Sequence, residues 1–162
     1  MLFHPGKKLL FMGQEFGQLR EWSEERELDW YLLNEKPHQD LQEFVKTLLH
    51  MYTKYPALYA GDNDPDGFEW INADDAYRSI FSLVRKSPTK RNNLLFVVNF
   101  TPVDRPDYRV GVPKKKQYKL IMNERGLLEK PEVFKAEAQE CDHREFSFDY
   151  PLPGYGVAVF TY

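Results

Sequence analysis

The chain has 162 residues, 42% of them hydrophobic, which is enough for one good core with a small appendage and too little for a complete multidomain enzyme. Its formal net charge of -3 gives neither nucleic acid nor an anionic membrane an electrostatic reason to bind. The single cysteine, Cys141, excludes an internal disulfide and fits a reducing, cytoplasmic compartment.

The opening MLFHPGKKLLFMG holds a short apolar run, too short to span a bilayer and without a small-residue cleavage site, so it reads as mature sequence. Within it, Lys8 to Met12 reads as a buried strand that ends at Gly13 and feeds a long polar loop studded with aromatics, Gln14 to Trp30. From Gln39 to Tyr55 the apolar residues Leu41, Phe44, Val45, Leu48, Tyr52 and Tyr55 fall along one face of an amphipathic helix, which Pro56 stops. Strand, loop and helix make one βα unit, residues 1–60.

Beyond the acidic turn GDNDPDG (Gly61 to Gly67) the apolar period changes to two, and short strands alternate with Pro, Gly and Asn clusters. Strands are expected over Phe68 to Asn72, Ser79 to Arg85, Leu94 to Phe100, Tyr108 to Val112, Gln117 to Asn123, Phe146 to Tyr150 and Val157 to Tyr162. LLFVVNF is apolar on both parities and should be a central strand covered on both faces. Glu124 to Arg144, rich in charge and poor in pattern, reads as a long excursion with a helical turn around Pro131 to Gln139. The fold expected is mainly β: an antiparallel sandwich over residues 61–162.

HPGKK lacks the upstream glycine of a phosphate loop, and Lys8 stands where its Ser or Thr belongs. Asp62, Asp64, Asp66 and Gly67 begin a calcium-loop pattern, but Ala73 occupies the twelfth position and Pro65 intervenes, so a solvated turn is expected. Cys141 and His143 have no partners at ligand spacing. Neither a metal site nor a cofactor site is expected.

Polar chemistry concentrates between Gly13 and Trp30: carboxylates, amides, Arg20, and the indoles Trp22 and Trp30. Residues just past a strand of a parallel barrel sit on its active face, and these are the groups that a sugar site uses. The opposing reading has Glu15 and Arg20 in an ion pair and the two tryptophans covering the loop's own small core. Aromatics make up 15% of the chain, which suits sugar stacking and an ordinary core equally.

LLFMGQEFGQLREW (Leu9 to Trp22) and the following LDWYLL (Leu28 to Leu33) resemble the end of the catalytic barrel in glycogen (1,4-α-glucan) branching enzymes of the α-amylase clan. Met12, Gly13, Glu15 and Phe16 match that family's Met-Gly-x-Glu-Phe motif, Glu21 and Trp22 its Glu-Trp pair, and Leu28 to Trp30 its Leu-Asp-Trp triplet. GFEWI (Gly67 to Ile71), NFTP (Asn99 to Pro102) and DYRVGVP (Asp107 to Pro113) look like its C-terminal domain.

The resemblance implies an enzyme that cuts an α-1,4-glucan, holds the piece covalently and rejoins it through an α-1,6 link. Retention requires paired carboxyl groups about 5 Å apart. The family keeps these on earlier barrel strands, which this sequence does not contain, so no catalytic residue is expected here and the chain alone should be inactive. Truncation of a longer enzyme is the expectation. Gln14, Glu15, Trp22, Asp29 and Trp30 are the implied substrate-binding residues, with α-glucan (amylose, glycogen) as partner. Alternatives are another clan member such as a trehalose-releasing hydrolase, a carbohydrate-binding module, or a purely structural cap. The cap is favoured over the module because the strand aromatics fall on alternating, core-facing positions.

Overall fold

The computed structural model describes residues 1–89 and 91–162. Helix α1 spans Lys36–Lys54, with Pro37 in its first turn, where a missing N–H costs no helical hydrogen bond. It ends where Tyr55 turns extended and Pro56 opens a short 3-10 turn, Pro56–Leu58.

Among the described residues eight strands follow: β1 Phe68–Asn72, β2 Ile80–Arg85, β3 Leu94–Asn99, β4 Arg105–Val112, β5 Gln117–Asn123, β6 Gly126–Lys135, β7 Phe146–Leu152 and β8 Val157–Thr161. Six of them form one sheet in the order β1-β2-β3-β8-β5-β6, and β4 pairs with β7 in a separate ribbon. All pairings are antiparallel, with Val84 opposite Leu95 and Leu95 opposite Phe160 across the middle of the sheet.

The sheet buries both faces. On the inner face it packs against the ribbon, where Tyr108, Val110, Phe148, Tyr150 and Leu152 meet Val84, Leu95, Val97, Tyr118 and Phe160. Phe160 receives Phe134, Phe148 and Tyr150 edge-on at centroid distances of 5.6, 5.1 and 5.3 Å, the favoured geometry for aromatic pairs. On the outer face α1 and the turn after it place Met51, Ala57 and Leu58 over Leu83, Leu94, Phe96, Met122 and Val159. Strand β3 is therefore central and covered on both sides, as its two-parity apolar pattern requires.

Two of the expected elements need correction. The stretch Glu124 to Arg144 is not a structureless excursion with a helical turn: Gly126–Lys135 is a ten-residue strand. It lies at the sheet edge and pairs only with β5, so Glu129, Lys130, Pro131 and Glu132 can occupy it, and Lys and Pro on an edge discourage pairing with other chains. Only Leu128 and Phe134 turn inward. The strand expected over Lys8 to Met12 is also absent, and Leu9, Phe11 and Met12 are exposed. A barrel strand exists through its hydrogen-bonded neighbours, and among the described residues none lies beside this segment.

The N-terminal segment is instead tied to the sheet by charge. Arg85, at the end of β2, is fully buried. It donates to Asp62 Oδ1 through Nη2 and to the Phe3 carbonyl through Nη1 at 3.1 Å. Lys8 Nζ stands 3.8 Å from the other Asp62 oxygen, and burial lowers its pKa. Asp62 thus binds two cations and is not a solvated turn residue.

Candidate functional site

The loop after this segment contains no helix or strand between Gly13 and Asp29, so side chains must fix its shape. It opens with a tight turn in which the Gly13 carbonyl accepts from Phe16 N at 3.3 Å and Gln18 N at 3.0 Å. Gly13 has φ of +87°, and a Cβ placed there would lie 2.8 Å from Gln18 Cβ. Glycine therefore serves both the backbone and the close approach of Gln18.

Phe16 is completely buried. Its carbonyl accepts from His38 Nδ1 on α1 at 2.7 Å, and the Trp30 ring lies 5.1 Å from its own. The loop is thereby anchored to α1.

Gln18 Oε1 accepts from Asp29 N at 2.9 Å, while its Nε2 donates to the Arg20 carbonyl at 3.0 Å. Arg20 Nε donates to Asp29 Oδ2 at 2.8 Å, and Nη2 donates to Oδ1. This fork is the strongest arrangement available to a guanidinium and a carboxylate. The hydrogen bond and the charge of Arg20 hold the Asp29 carboxyl below the usual carboxylate range, against the opposing effect of burial. Asp29 raises the Arg20 pKa in return.

The residues expected to bind substrate occupy different settings. Gln14 is exposed and accepts from Phe11 N at 2.9 Å. Glu15 is half-buried and, among the described residues, forms no ion pair, so the Glu15–Arg20 pairing considered above is replaced by Asp29–Arg20. Trp22 is 37% exposed and meets Phe11 edge-on at 5.6 Å. Trp30 is 46% exposed against Phe16. Asp29 is 2% exposed and has both oxygens engaged by Arg20. The indoles belong to separate aromatic pairs and leave ring surface open to solvent, whereas Asp29 braces the loop from within.

Sequence spacing pointed to this loop and to an ion-paired Arg20, but not to Asp29 as the partner of Arg20 or to Gln18 as a second brace. A second aromatic line also escaped the expectation of core-facing strand aromatics: exposed Trp70 lies 6.4 Å from half-buried Phe81, which lies 5.7 Å from exposed Phe100. These rings share the outer sheet face with Leu83. Among the described residues no group of three or more His, Cys, Asp or Glu could hold a metal ion. Among the described residues no helix is long and apolar enough to cross a membrane.

Comparison with known proteins places this geometry. The family described as "Alpha amylase, C-terminal all-beta domain" matches residues 70–162. The 1,4-alpha-glucan branching enzyme GlgB of Butyrivibrio fibrisolvens is 46% identical across 100% of this chain and 26% of its own length. That of Aquifex aeolicus (strain VF5) is 50% identical across 76% of this chain and 20% of its own length. The chain thus spans only about a quarter of the length of the first of these relatives and a fifth of the second. Among solved structures, pullulanase type I from Bacillus subtilis str. 168, complexed with maltose, covers 83% of this chain and 17% of its own, with a TM-score of 0.57 and 12% identity. Identity that low bears on the fold alone. The family matches more than half of the chain, and its all-β description fits the sheet and ribbon that residues 68–161 build, so the chain belongs to the family of alpha amylase C-terminal all-beta domains.

Proposed function

We propose that this chain is the C-terminal portion of a 1,4-α-glucan branching enzyme, acting on α-glucan such as amylose or glycogen in the cytoplasm. The observation that carries the reading is the alignment of the entire chain, loop and β-domain together, with the B. fibrisolvens branching enzyme. On this reading residues 1–60 belong with the catalytic barrel and residues 61–162 form the all-β domain beside it. Gln14, Glu15, Trp22 and Trp30 shape a glucan-binding surface, and Asp29 contributes by bracing it.

The chemistry itself lies outside this chain. Retaining transfer needs a nucleophilic carboxylate and a carboxylic acid whose pKa is raised. Asp29, the buried carboxylate of the loop, is shifted in the opposite direction by Arg20 and is occupied by it. Buried against a guanidinium, it is suited to bracing and not to proton donation.

The upstream reading frame of the gene tests the proposal. It should encode a parallel barrel whose strands end in an aspartate nucleophile, a glutamate acid/base and a further aspartate. An in-frame stop directly before Met1, or an unrelated domain upstream, would contradict it.

A further inference from the structure

We propose that Arg20 is a positioning residue of the glucan-binding loop: its guanidinium closes the neck of the Glu21–Leu28 excursion against Asp29 and so sets where Trp22 stands. The inference rests on reading this loop as part of a glucan site. Arg20 and Asp29 bracket eight residues that have no backbone ladder of their own. Inside the excursion the fixings are slight: Arg26 Nη2 donates to the Glu21 carbonyl at 2.6 Å, Glu25 N to Ser23 Oγ at 3.3 Å, and Arg26 N to the Ser23 carbonyl at 3.5 Å.

The excursion also carries Glu21, Glu24, Glu25 and Glu27 against a single cation, Arg26. Like charges this close favour a spread loop. What opposes spreading is the neck, where Asp29 is held at its carboxylate by Arg20 and at its backbone N–H by Gln18. A forked pair fixes direction as well as distance, so it sets the angle at which the excursion leaves the fold. Trp22 lies two residues past Arg20, its ring resting edge-on against Phe11 with one side free. A shift at the neck is therefore transmitted to the one aromatic ring that the excursion presents. The Arg20 donors Nε and Nη2 are spent on Asp29, and it is through this fork that the residue acts on the loop.

In the intact protein that carries this chain, Arg20→Gln should raise KM for amylose roughly tenfold with kcat changed less than about twofold, because misplacement weakens binding and leaves the reacting groups intact. Arg20→Lys keeps the charge without the fork and should raise KM by about threefold, a partial rescue. In the 162-residue chain, trypsin should cut after Arg26 faster in the variants, in the same order. An unchanged KM in Arg20→Gln, or cleavage after Arg26 no faster than in the parent, overturns the role of Arg20. If Trp22→Ala also leaves KM unchanged, the reading of the loop as a glucan site fails as well. Should Arg20→Gln not fold, the Lys variant alone decides: a parental KM, or parental cleavage after Arg26, rejects the proposal.

Discussion

Arg85 donates through Nη2 to Asp62 Oδ1 in a setting where the guanidinium is fully shielded from water and the carboxylate nearly so. The pair joins β2 to the acidic turn Gly61 to Gly67, and the further bond to the Phe3 carbonyl extends it to the N-terminal segment. Removing one member strands the other charge. Asp62→Ala leaves the Arg85 guanidinium buried without a counter-charge and should destabilise the chain by about 3–5 kcal/mol, while Arg85→Met leaves Asp62 with Lys8 and some access to water and should cost less. Urea unfolding of both variants checks this, and an Asp62→Ala midpoint equal to the parent's would show that the pair contributes nothing.

Phe16 and Trp22 flank the same loop but differ in burial, so their truncations should separate packing from binding. Phe16→Ala removes a completely buried ring and should cost about 3–5 kcal/mol. Trp22→Ala removes a ring that is 37% exposed and should cost about 1–2 kcal/mol, while weakening use of amylose by the intact protein. Melting curves and kinetics measured side by side decide the matter. A Trp22 variant that melts as low as the Phe16 variant would assign the indole to packing.

The Asp29–Arg20 brace makes loop order depend on pH. Asp29 ionises below the usual range in the folded chain and near 3.9 in the unfolded one. Its stabilising effect is complete above the unfolded value and is lost as pH falls through the folded value. The stability gap between the parent and Asp29→Asn should accordingly be constant at neutral pH and shrink below about pH 4. Urea midpoints at pH 7, 5 and 3 give the comparison, and a gap that widens in acid would reverse the assignment.

Helix α1 covers the outer face of the sheet, so a chain beginning at Gly61 exposes Leu94, Phe96, Met122 and Val159. The inner core between sheet and ribbon remains intact in such a chain. The expected outcome is retained β circular dichroism, strong binding of a hydrophobic dye, and a lower melting temperature. Loss of the β signal would show that α1 is part of the minimal folding unit.

Alternation made most strands legible in the sequence. Phe146, Phe148 and Tyr150 share one parity of β7, with the last two in the inner core, and the all-apolar β3 sits covered on both faces. Strand β6 was illegible because an edge strand needs few inward residues, and its charges imitate a loop. The apolar run Leu9 to Met12 misled in the opposite sense, since apolar residues make a strand only where a neighbour accepts their backbone bonds. The partners of charged residues were hidden for a different reason. Glu15, five positions from Arg20, is nearer in sequence than Asp29, yet the turn at Gly13 brings Gln18 and Asp29 together and commits Arg20 to Asp29. Arg85 ends an apolar strand, and nothing in its spacing reveals that Asp62 and a carbonyl wait inside.

On the proposed function the chemistry belongs to a longer enzyme, which this chain serves without performing the reaction. Incubating amylose separately with the intact protein and with the 162-residue chain, and counting new α-1,6 anomeric protons by NMR, tests it most directly. The intact protein should form α-1,6 branches without a matching rise in reducing ends, and the chain alone should form none. Branching by the purified chain, or hydrolysis without branching by the intact protein, would contradict the account.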